Sequence, residues 1–490
     1  MSHSKGNNNV VIVGAGLAGS LMGIYLVRRG YRVDIYERRP DCRTESGERC
    51  RSINMTLAER GLHALDEVGI LQQVLDLTVT VKGRMVHEID EPVKFQPYGK
   101  NEKEVIHAIM RKDLNIALMN HAETFPNLKI HFRQQCTGID KQARKICFSD
   151  IQSGESYAVE PAFIIGADGT FSTTRQQMQR GERANYDQEF LERGYKELTI
   201  DPAAGGGWQL PNHALHVWPR GSCMLMCIAN RDGSFTCTCV LPFEGELSFA
   251  SLQTEKAVRE FLFGNFPDLM PLMPNAVENF MRNPPSEFIT TRTNFWHYKD
   301  LCVLLGDSCH TVVPFYGQGM NAAFEDCSIL DKCIEQHRDD LETAFSEFQR
   351  LRKHNTDALA KLSVENFIEL RDKVRSRKLT AKKKVDHWLA DLMPGRWIPL
   401  YTLISHTTVP YADAIERAKK QNRVARLCGV DLVLLFLTAM LISRDGFNRF
   451  KLAFTHFFER PVEVPKLRPV EVTKLQQSKL IRNSQFTTER

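Results

Sequence analysis

The sequence predicts an α/β fold organised on a parallel sheet, and three segments carry that expectation. Val10 to Val13 is a β-branched run followed at once by Gly14-Ala15-Gly16-Leu17-Ala18-Gly19, a helix-like stretch to about Arg29, and a second strand, Val33 to Tyr36, closed by Glu37. Phe163 to Gly169 reads as a buried strand that ends in a glycine-flanked acid, Asp168, with Ser172 to Arg175 opening the next element. Leu301 to Leu305 is a third apolar run, ending Gly306-Asp307 and leading through Gly317 to Asn321 into a helical run over Ala322 to Leu330. Short apolar runs bounded by turn residues suit strands covered on both faces.

The first segment has the chemistry of a dinucleotide site. Gly14 would make the tight turn, Gly16 would let the backbone approach a pyrophosphate, and Gly19 would let helix and strand pack closely. The helix N-terminus would supply free N–H groups and the positive end of its dipole. Glu37 lies 18 residues past Gly19, where a carboxylate accepts ribose hydroxyls. A lone GxGxxG is weak, because glycine turns are common. This one stands between strand and helix with an acid at the end of the next strand, which is the context the reading needs. The motif by itself leaves FAD and NAD both open.

The two later segments bear on that choice. Asp307 at a strand's carboxyl end can hold a ribitol hydroxyl, and the Gly317 to Asn321 turn would present N–H groups at a helix start, where a reduced flavin is negatively charged. Each segment alone could be a strand followed by a capping Asp. The three in this order point to FAD in a Rossmann-like domain. His310 follows Asp307 at i+3, and a capping or core role suits it better than acid–base catalysis.

Composition narrows the classes. The 490 residues are 42% hydrophobic and 25% charged, ordinary for a globular chain with a sizeable core. With 64 basic and 59 acidic residues the net charge is +5, too balanced to imply nucleic acid. Thirteen scattered cysteines include no CxxC with a histidine partner, so no metal is expected and a reducing compartment is the default. Met1 to Asn9 is polar and runs straight into a strand, so neither a signal peptide nor a transit sequence is expected.

GAGLAG with Glu37, GADGTFSTTR at 166–175 and GDSCHTVVPFYGQGMN at 306–321 resemble the fingerprints of the single-component FAD-dependent aromatic hydroxylases. Within that group the chain is similar to the kynurenine 3-monooxygenase family from about Asn9 to Tyr411. The family-specific stretches are RSINMTLAERG at 51–61, RMVH at 84–87, PYG at 97–99, GYKELTI at 194–200, LHVWPR at 215–220, SFTCT at 234–238, ENFIELR at 365–371 and IPLYT at 398–402. The resemblance implies NADPH- and O2-dependent 3-hydroxylation of L-kynurenine through a flavin C4a-hydroperoxide, within tryptophan degradation. Its alternatives are a related hydroxylase acting on another aromatic acid and, more distantly, a flavin-binding redox sensor.

A kynurenine pocket needs a cation for the carboxylate, neutral donors beside it and apolar walls for the ring. The resemblance assigns the carboxylate to Arg84 with Tyr98 and the amino-acid end to Asn366 and Tyr401, with Phe235 and Phe315 as ring-packing walls. Taken without it, Arg84 and Tyr98 would read as surface residues. For FAD it implies contacts from Gly14, Gly16, Ala18, Gly19, Tyr36, Glu37, Arg38, Arg39, Thr56, Arg111, Cys136, Asp168, Asp307, Gly319, Met320 and Asn321, those of Thr56 and Cys136 through their backbones. No side chain is expected to act as a catalytic group, since the substrate's own amine activates the ring carbon. No second strand–GxGxxG–helix exists for NADPH, and Gly205-Gly206-Gly207 reads as a loop, so NADPH is expected as a transient co-substrate.

The expected layout is α/β, with a Rossmann-like FAD-binding domain, an antiparallel-sheet substrate domain and a helical C-terminal region. The FAD-binding domain takes 1–180 with 295–360, including parts of the substrate sheet near 70–110. The substrate domain takes 181–294, a helical region contributing to the pocket takes 361–425, and a membrane-associating tail takes 426–490. Glu365 to Trp397 reads mainly helical, with a basic stretch from Arg371 to Lys384 on a solvated face. Leu432 to Ile442 is an apolar run of eleven residues, short of the ~20 that span a bilayer. Phe447, Phe450, Phe454, Phe457 and Phe458 share one helical face beside Arg449, Lys451 and Arg460, which suits an interfacial helix or a core helix equally. The resemblance implies attachment to the mitochondrial outer membrane in a eukaryote and a cytoplasmic or peripheral protein in a bacterium. The oligomeric state stays open.

Overall fold

The computed structural model describes residues 8–44, 54–99, 104–338, 340–368, 386 and 388–425. The chain divides into two compact units, Met1–Ala390 with Gly395–Gln421 and Asp391–Pro394 with Asn422–Arg490, and every element named below lies in the first. The basic stretch at 371–384, the apolar run at 432–442 and the phenylalanine face at 447–458 lie outside the described residues.

The β-branched run becomes β1 (Asn9–Val13), central in a six-stranded sheet. On one side it pairs in parallel with β12 (Phe163–Gly166), which pairs with β19 (Cys302–Leu304) and through it with β18 (His297–Tyr298). On the other side it pairs with β2 (Arg32–Glu37), followed by β8 (Leu128–Phe132). The three expected strands are thus neighbours, and their registers bring Val13, Gly166 and Leu304 level at one end of the sheet. Helix α1 (Leu17–Arg28) starts from that end and is apolar nearly all round, because the sheet, α4 (Arg111–Ala122) and α8 (Gly319–Gln336) enclose it. Gly14 is at φ +104°, and a Cβ on Gly19 would lie 2.0 Å from the Gly14 carbonyl oxygen, so neither position takes a side chain.

A seven-stranded sheet runs in the order β17 (Ser286–Thr293), β13 (Tyr186–Ile200), β16 (Phe235–Pro242), β15 (Cys223–Ala229), β14 (Ala214–Arg220), β5 (Gly83–Val86) and β6 (Lys94–Pro97). The expected antiparallel pattern is broken once, where β5 joins β14 in parallel. Helices α6 (Glu255–Asn265) and α7 (Ala276–Arg282) cover one face, and the strand period of two sends Phe235, Cys237 and Cys239 into that apolar layer. The opposite face carries Thr236 and Thr238. Gly205 to Gly207 form a loop with φ near +90°.

Two three-stranded sheets complete the strands. One is β3 (Asn54–Leu57), β7 (Ile106–Met110) and β4 (Val79–Val81), and the other is β11 (Ser156–Val159), β10 (Lys145–Asp150) and β9 (Gln134–Asp140). Helix α2 (Glu59–Glu67) packs on α8, and a short α3 (Leu71–Leu75) follows it. Helix α5 (Thr173–Gln179) follows β12. The long α9 (Leu341–Ile368), α10 (Leu400–Ser405) and the helical residues 411–421 form a last layer, joined to α8 through Ala322, Leu359, Leu403 and Tyr411. Among the described residues no helix is long and apolar enough to cross a membrane.

Candidate active site

Between the carboxyl ends of β1 and β19 and the open face of the seven-stranded sheet lies one continuous cleft. It holds about 1940 Å³ of free space including its solvent-open part. Its two ends differ in chemistry.

At the glycine end, Gly16 and Ala18 line the cleft at the start of α1, which has no side-chain cap, so its first N–H groups are left for a ligand. Glu37 spans the loop and the end of β2, accepting from the Ala15 N–H at 3.0 Å and the Arg39 N–H at 2.9 Å. Tyr36 contributes backbone alone: its ring is sandwiched by His131 at 4.7 Å and Phe148 at 4.0 Å, while its carbonyl accepts from Gly14. Arg38 and Arg39 are exposed just past β2.

In the middle of the cleft Asp307 and Arg111 both face the space. Solvent reaches Asp307 from the cleft while protein crowds it on its other sides; that burial raises its carboxyl, against the pull of Arg111. Thr56 Oγ1 donates to the Gly317 carbonyl at 3.3 Å, and Gly317 sits at φ +67°, where a Cβ would meet Thr56 Oγ1 at 2.5 Å. Gly319 and Met320 line the cleft at the start of α8, another uncapped helix.

Three expected cofactor residues have their side chains occupied elsewhere. The Asp168 carboxylate accepts from the N–H and hydroxyl of Thr174 at 2.9 and 3.0 Å and from Ser172, so it caps α5 while its neighbours Ala167 and Gly169 line the cleft. Asn321 is a clasp: its oxygen accepts from the Ala58 N–H at 2.8 Å, and its amide donates to the carbonyls of Thr56 and Gly317 at 2.8 and 2.9 Å. Cys136 is buried in β9, where burial and then Asp168 push its thiol up to about 12.

At the other end, Arg84 on β5 places its guanidinium 5.4 Å from the Tyr98 ring centre. Tyr98 stacks on Tyr401 of α10 at 4.9 Å, and Tyr316 lies 6.0 Å beyond Tyr401. Burial, then Tyr98, raises the Tyr401 hydroxyl well above its usual range, and Arg84 opposes them, so it stays a protonated donor. Asn366 donates to the Phe315 carbonyl at 2.8 Å. Phe315 stacks on Phe367 at 4.3 Å and packs against Phe288 at 4.8 Å. Phe235 is a correction: it is fully buried on the helix-covered face, edge-on to His216, and the wall opposite comes from Phe288, Tyr195 and Met226. The alternation Phe-Thr-Cys-Thr-Cys at 235–239 already contains that signal.

Asn54 is a lining residue that sequence reasoning missed. Its amide donates to Asn230 Oδ1 at 2.5 Å and to the carbonyls of Ile228 and Ala229, which fixes its orientation and leaves a buried Oδ1 with no partner among the described residues. His310, expected in a capping or core role, is buried against Asp326 at 2.5 Å and stacks on Trp296.

The profile of the FAD binding domain family matches residues 7–337. A kynurenine 3-monooxygenase of Salinispora tropica is 46% identical over 448 residues, covering 91% of this chain and 99% of that protein. The chain belongs to the kynurenine 3-monooxygenase family. A member from Dictyostelium discoideum is 39% identical across 83% of this chain and 90% of its own length. Among solved structures, 2-methyl-3-hydroxypyridine-5-carboxylic acid oxygenase superposes with a TM-score of 0.60 at 20% identity, covering 75% of this chain and 94% of that one. PqsL of P. aeruginosa does so with 0.61 at 18%, covering 74% and 96%. These two share the fold.

Family membership makes the chain an FAD-dependent monooxygenase, and its residues fit that cofactor. Two uncapped helix N-termini open into one cleft, at Gly16 for a pyrophosphate and at Gly319 for an anionic ring system. Asp307 lines the cleft between them, and Glu37 braces the glycine loop behind the first through the Ala15 N–H.

Proposed function

We propose that this chain catalyses the NADPH- and O2-dependent hydroxylation of L-kynurenine to 3-hydroxy-L-kynurenine. The observation that carries the proposal is the joining of the glycine-loop end of the cleft to a pocket where Arg84, Tyr98 and Tyr401 form a polar cluster facing aromatic walls. FAD, when bound and reduced, supplies the activated oxygen that an electron-rich ring carbon attacks. In this reading Arg84 pairs with the substrate carboxylate, Tyr98 and Tyr401 donate beside it, and Asn366 steadies both the Phe315 carbonyl and the amino-acid end. Phe288, Phe315 and Met226 hold the ring and keep water from the reacting carbon. The amine ortho to that carbon makes it nucleophilic, so no side chain is given a proton-transfer role.

Gly16, Ala18, Glu37, Thr56, Arg111, Asp307, Gly319 and Met320 would hold the cofactor, with backbone contributions around Gly14, Gly19, Tyr36, Arg38, Arg39, Cys136, Asp168 and Asn321. NADPH acts as a transient co-substrate. The test is kynurenine-stimulated NADPH oxidation by the purified yellow protein with 3-hydroxykynurenine measured alongside. Stimulation without hydroxylated product would leave kynurenine as an effector of a hydroxylase for another aromatic acid, which the Arg84 cluster would also accommodate.

We also infer that the tail at 426–490 touches a membrane surface. Its support is sequence alone: the apolar run Leu432 to Ile442 and the phenylalanines from Phe447 to Phe458 beside Arg449, Lys451 and Arg460. The surface would be the mitochondrial outer membrane in a eukaryote; in a bacterium the chain would be cytoplasmic or peripheral to the membrane.

A further inference from the structure

We propose that Tyr411 is a positioning residue for the cofactor-facing turn Gly317–Met320 and acts on it through Gln318. The inference rests on the reading that this turn holds FAD. Its starting point is one hydrogen bond: Tyr411 Oη donates to Gln318 Oε1 at 3.0 Å, across 93 residues of sequence. Gln318 stands between Gly317 and Gly319, both of which line the cleft, and is itself 2% exposed. It is the N-cap residue of α8, yet its side chain does not cap that helix. It turns away from the cleft, into the layer formed by α10 and the helical residues 411–421.

The turn is therefore held from two directions. On the β3 side, Thr56 and the Asn321 clasp fix the Gly317 carbonyl. On the helical side only the Gln318 carboxamide reaches out among the bonds described for the turn, and Tyr411 is what it meets. A glycine at φ +67° followed by an uncapped helix start has little intrinsic stiffness. The direction of the first α8 N–H groups depends on such restraints.

Tyr411 is itself immobilised. It is fully buried, and the Arg60 guanidinium lies 4.0 Å over its ring. Arg60 donates to the carbonyls of Ile404 and Val409 and to Glu325 at 3.1 Å, and Glu325 also pairs with Arg352 of α9. Burial raises the Tyr411 hydroxyl far above its usual range, with Arg60 opposing, so it remains a donor at any working pH. A buried Gln oxygen that loses such a donor has no solvent to turn to. The same layer carries Tyr401 of the polar cluster.

The experiment uses full-length holoenzyme and three variants, Tyr411→Phe, Gln318→Leu and the double. The readouts are the visible absorption spectrum of bound flavin, the FAD dissociation constant, kynurenine KM and product formed per NADPH consumed. We expect Tyr411→Phe to weaken FAD binding roughly five- to tenfold, to shift the flavin absorption bands and to lower product per NADPH, with KM within about twofold of the parent. Gln318→Leu should reproduce these changes and the double variant should be no worse than either single. An unchanged spectrum and FAD affinity in Tyr411→Phe, or additive losses in the double variant, would overturn the proposal. If Tyr411→Phe does not fold, Gln318→Leu decides on the same readouts. Failure of the parent to make product would instead count against the proposed activity, and FAD affinity and spectrum would still decide Tyr411.

Discussion

Tyr98 and Tyr401 stack at 4.9 Å, with the Arg84 guanidinium 5.4 Å from the Tyr98 ring on β5's side of the pair. The three come from a strand, the segment after a hairpin and a helix near the end of the described chain. The stack joins the segment after β6 to α10 beside Arg84.

That arrangement sets the outcome for Arg84→Met. The fold and flavin spectrum should survive, because Arg84 lies on β5 of the seven-stranded sheet, apart from the six-stranded sheet whose strands lead to Gly16 and Asp307. A bound carboxylate would lose a charge-assisted partner, about 1.5–3 kcal/mol, or roughly 10- to 150-fold in kynurenine KM. Steady-state kinetics on the flavin-replete variant measures this, and an unchanged KM would make Arg84 a structural arginine.

Glu37→Ala tests the other end. Glu37 now accepts two backbone N–H groups, from Ala15 and Arg39. Its removal loosens the glycine loop and also removes the acceptor available to ribose hydroxyls. FAD retention should fall by about 1.5–3 kcal/mol. Flavin content after purification at low added FAD reads it directly, and full occupancy would refute the assignment.

These two ends were not equally legible in the sequence. The β1–α1–β2 unit could be read because its chemistry is local: strand, turn, helix and acid follow within a few dozen residues. The pocket was reached only through the family resemblance, because Arg84, Tyr98, Asn366 and Tyr401 come together only through tertiary packing, and each alone looks like an ordinary surface residue. For Phe235 the alternation at 235–239 set it on the face opposite Thr236 and Thr238, but that this face is the one covered is decided by α6 and α7, elements remote from it. Asp168 and Asn321 were expected to contact FAD, yet their side chains serve helix α5 and the end of strand β3. Short polar side chains beside helix starts are drawn to orphan backbone groups, and spacing does not reveal which group they take.

Removing residues 426–490 should abolish membrane association while leaving flavin content intact. Every residue proposed to hold FAD or kynurenine lies at or before Tyr401, and the apolar run and the phenylalanines that would bind lipid lie beyond the cut. Vesicle flotation of the full-length and shortened chains, with flavin absorbance read in each fraction, measures both at once. Equal flotation would move the contact to the basic stretch around Lys382; no flotation of either would remove the membrane from the account.

Asp326 gives the acid limb of stability a specific origin. It is fully buried on α8, with one carboxylate oxygen on Arg352 Nε at 2.6 Å and the other on His310 Nε2 at 2.5 Å and the Gly306 N–H at 3.1 Å. Burial by itself would raise the carboxyl, but His310 and Arg352 outweigh it and hold it at about 2, below the ordinary 3.8. A carboxyl depressed by folding stabilises the protein above its unfolded value. That contribution, on the order of 2 kcal/mol, is complete above about pH 5 and drains away as pH falls through 3.8 toward 2. Asp326→Asn should therefore lower stability near neutrality by about 3–5 kcal/mol, because among the described residues Arg352 keeps only Glu325 as an ion-pair partner. It should also lose stability less steeply than the parent between pH 5 and 3. Thermal unfolding midpoints of the two proteins over that window make the comparison, which cancels groups of opposite sign such as Asp307, whose carboxyl burial raises. Parallel curves would mean that Asp326 does not titrate with folding, and that the acid limb belongs to other carboxylates.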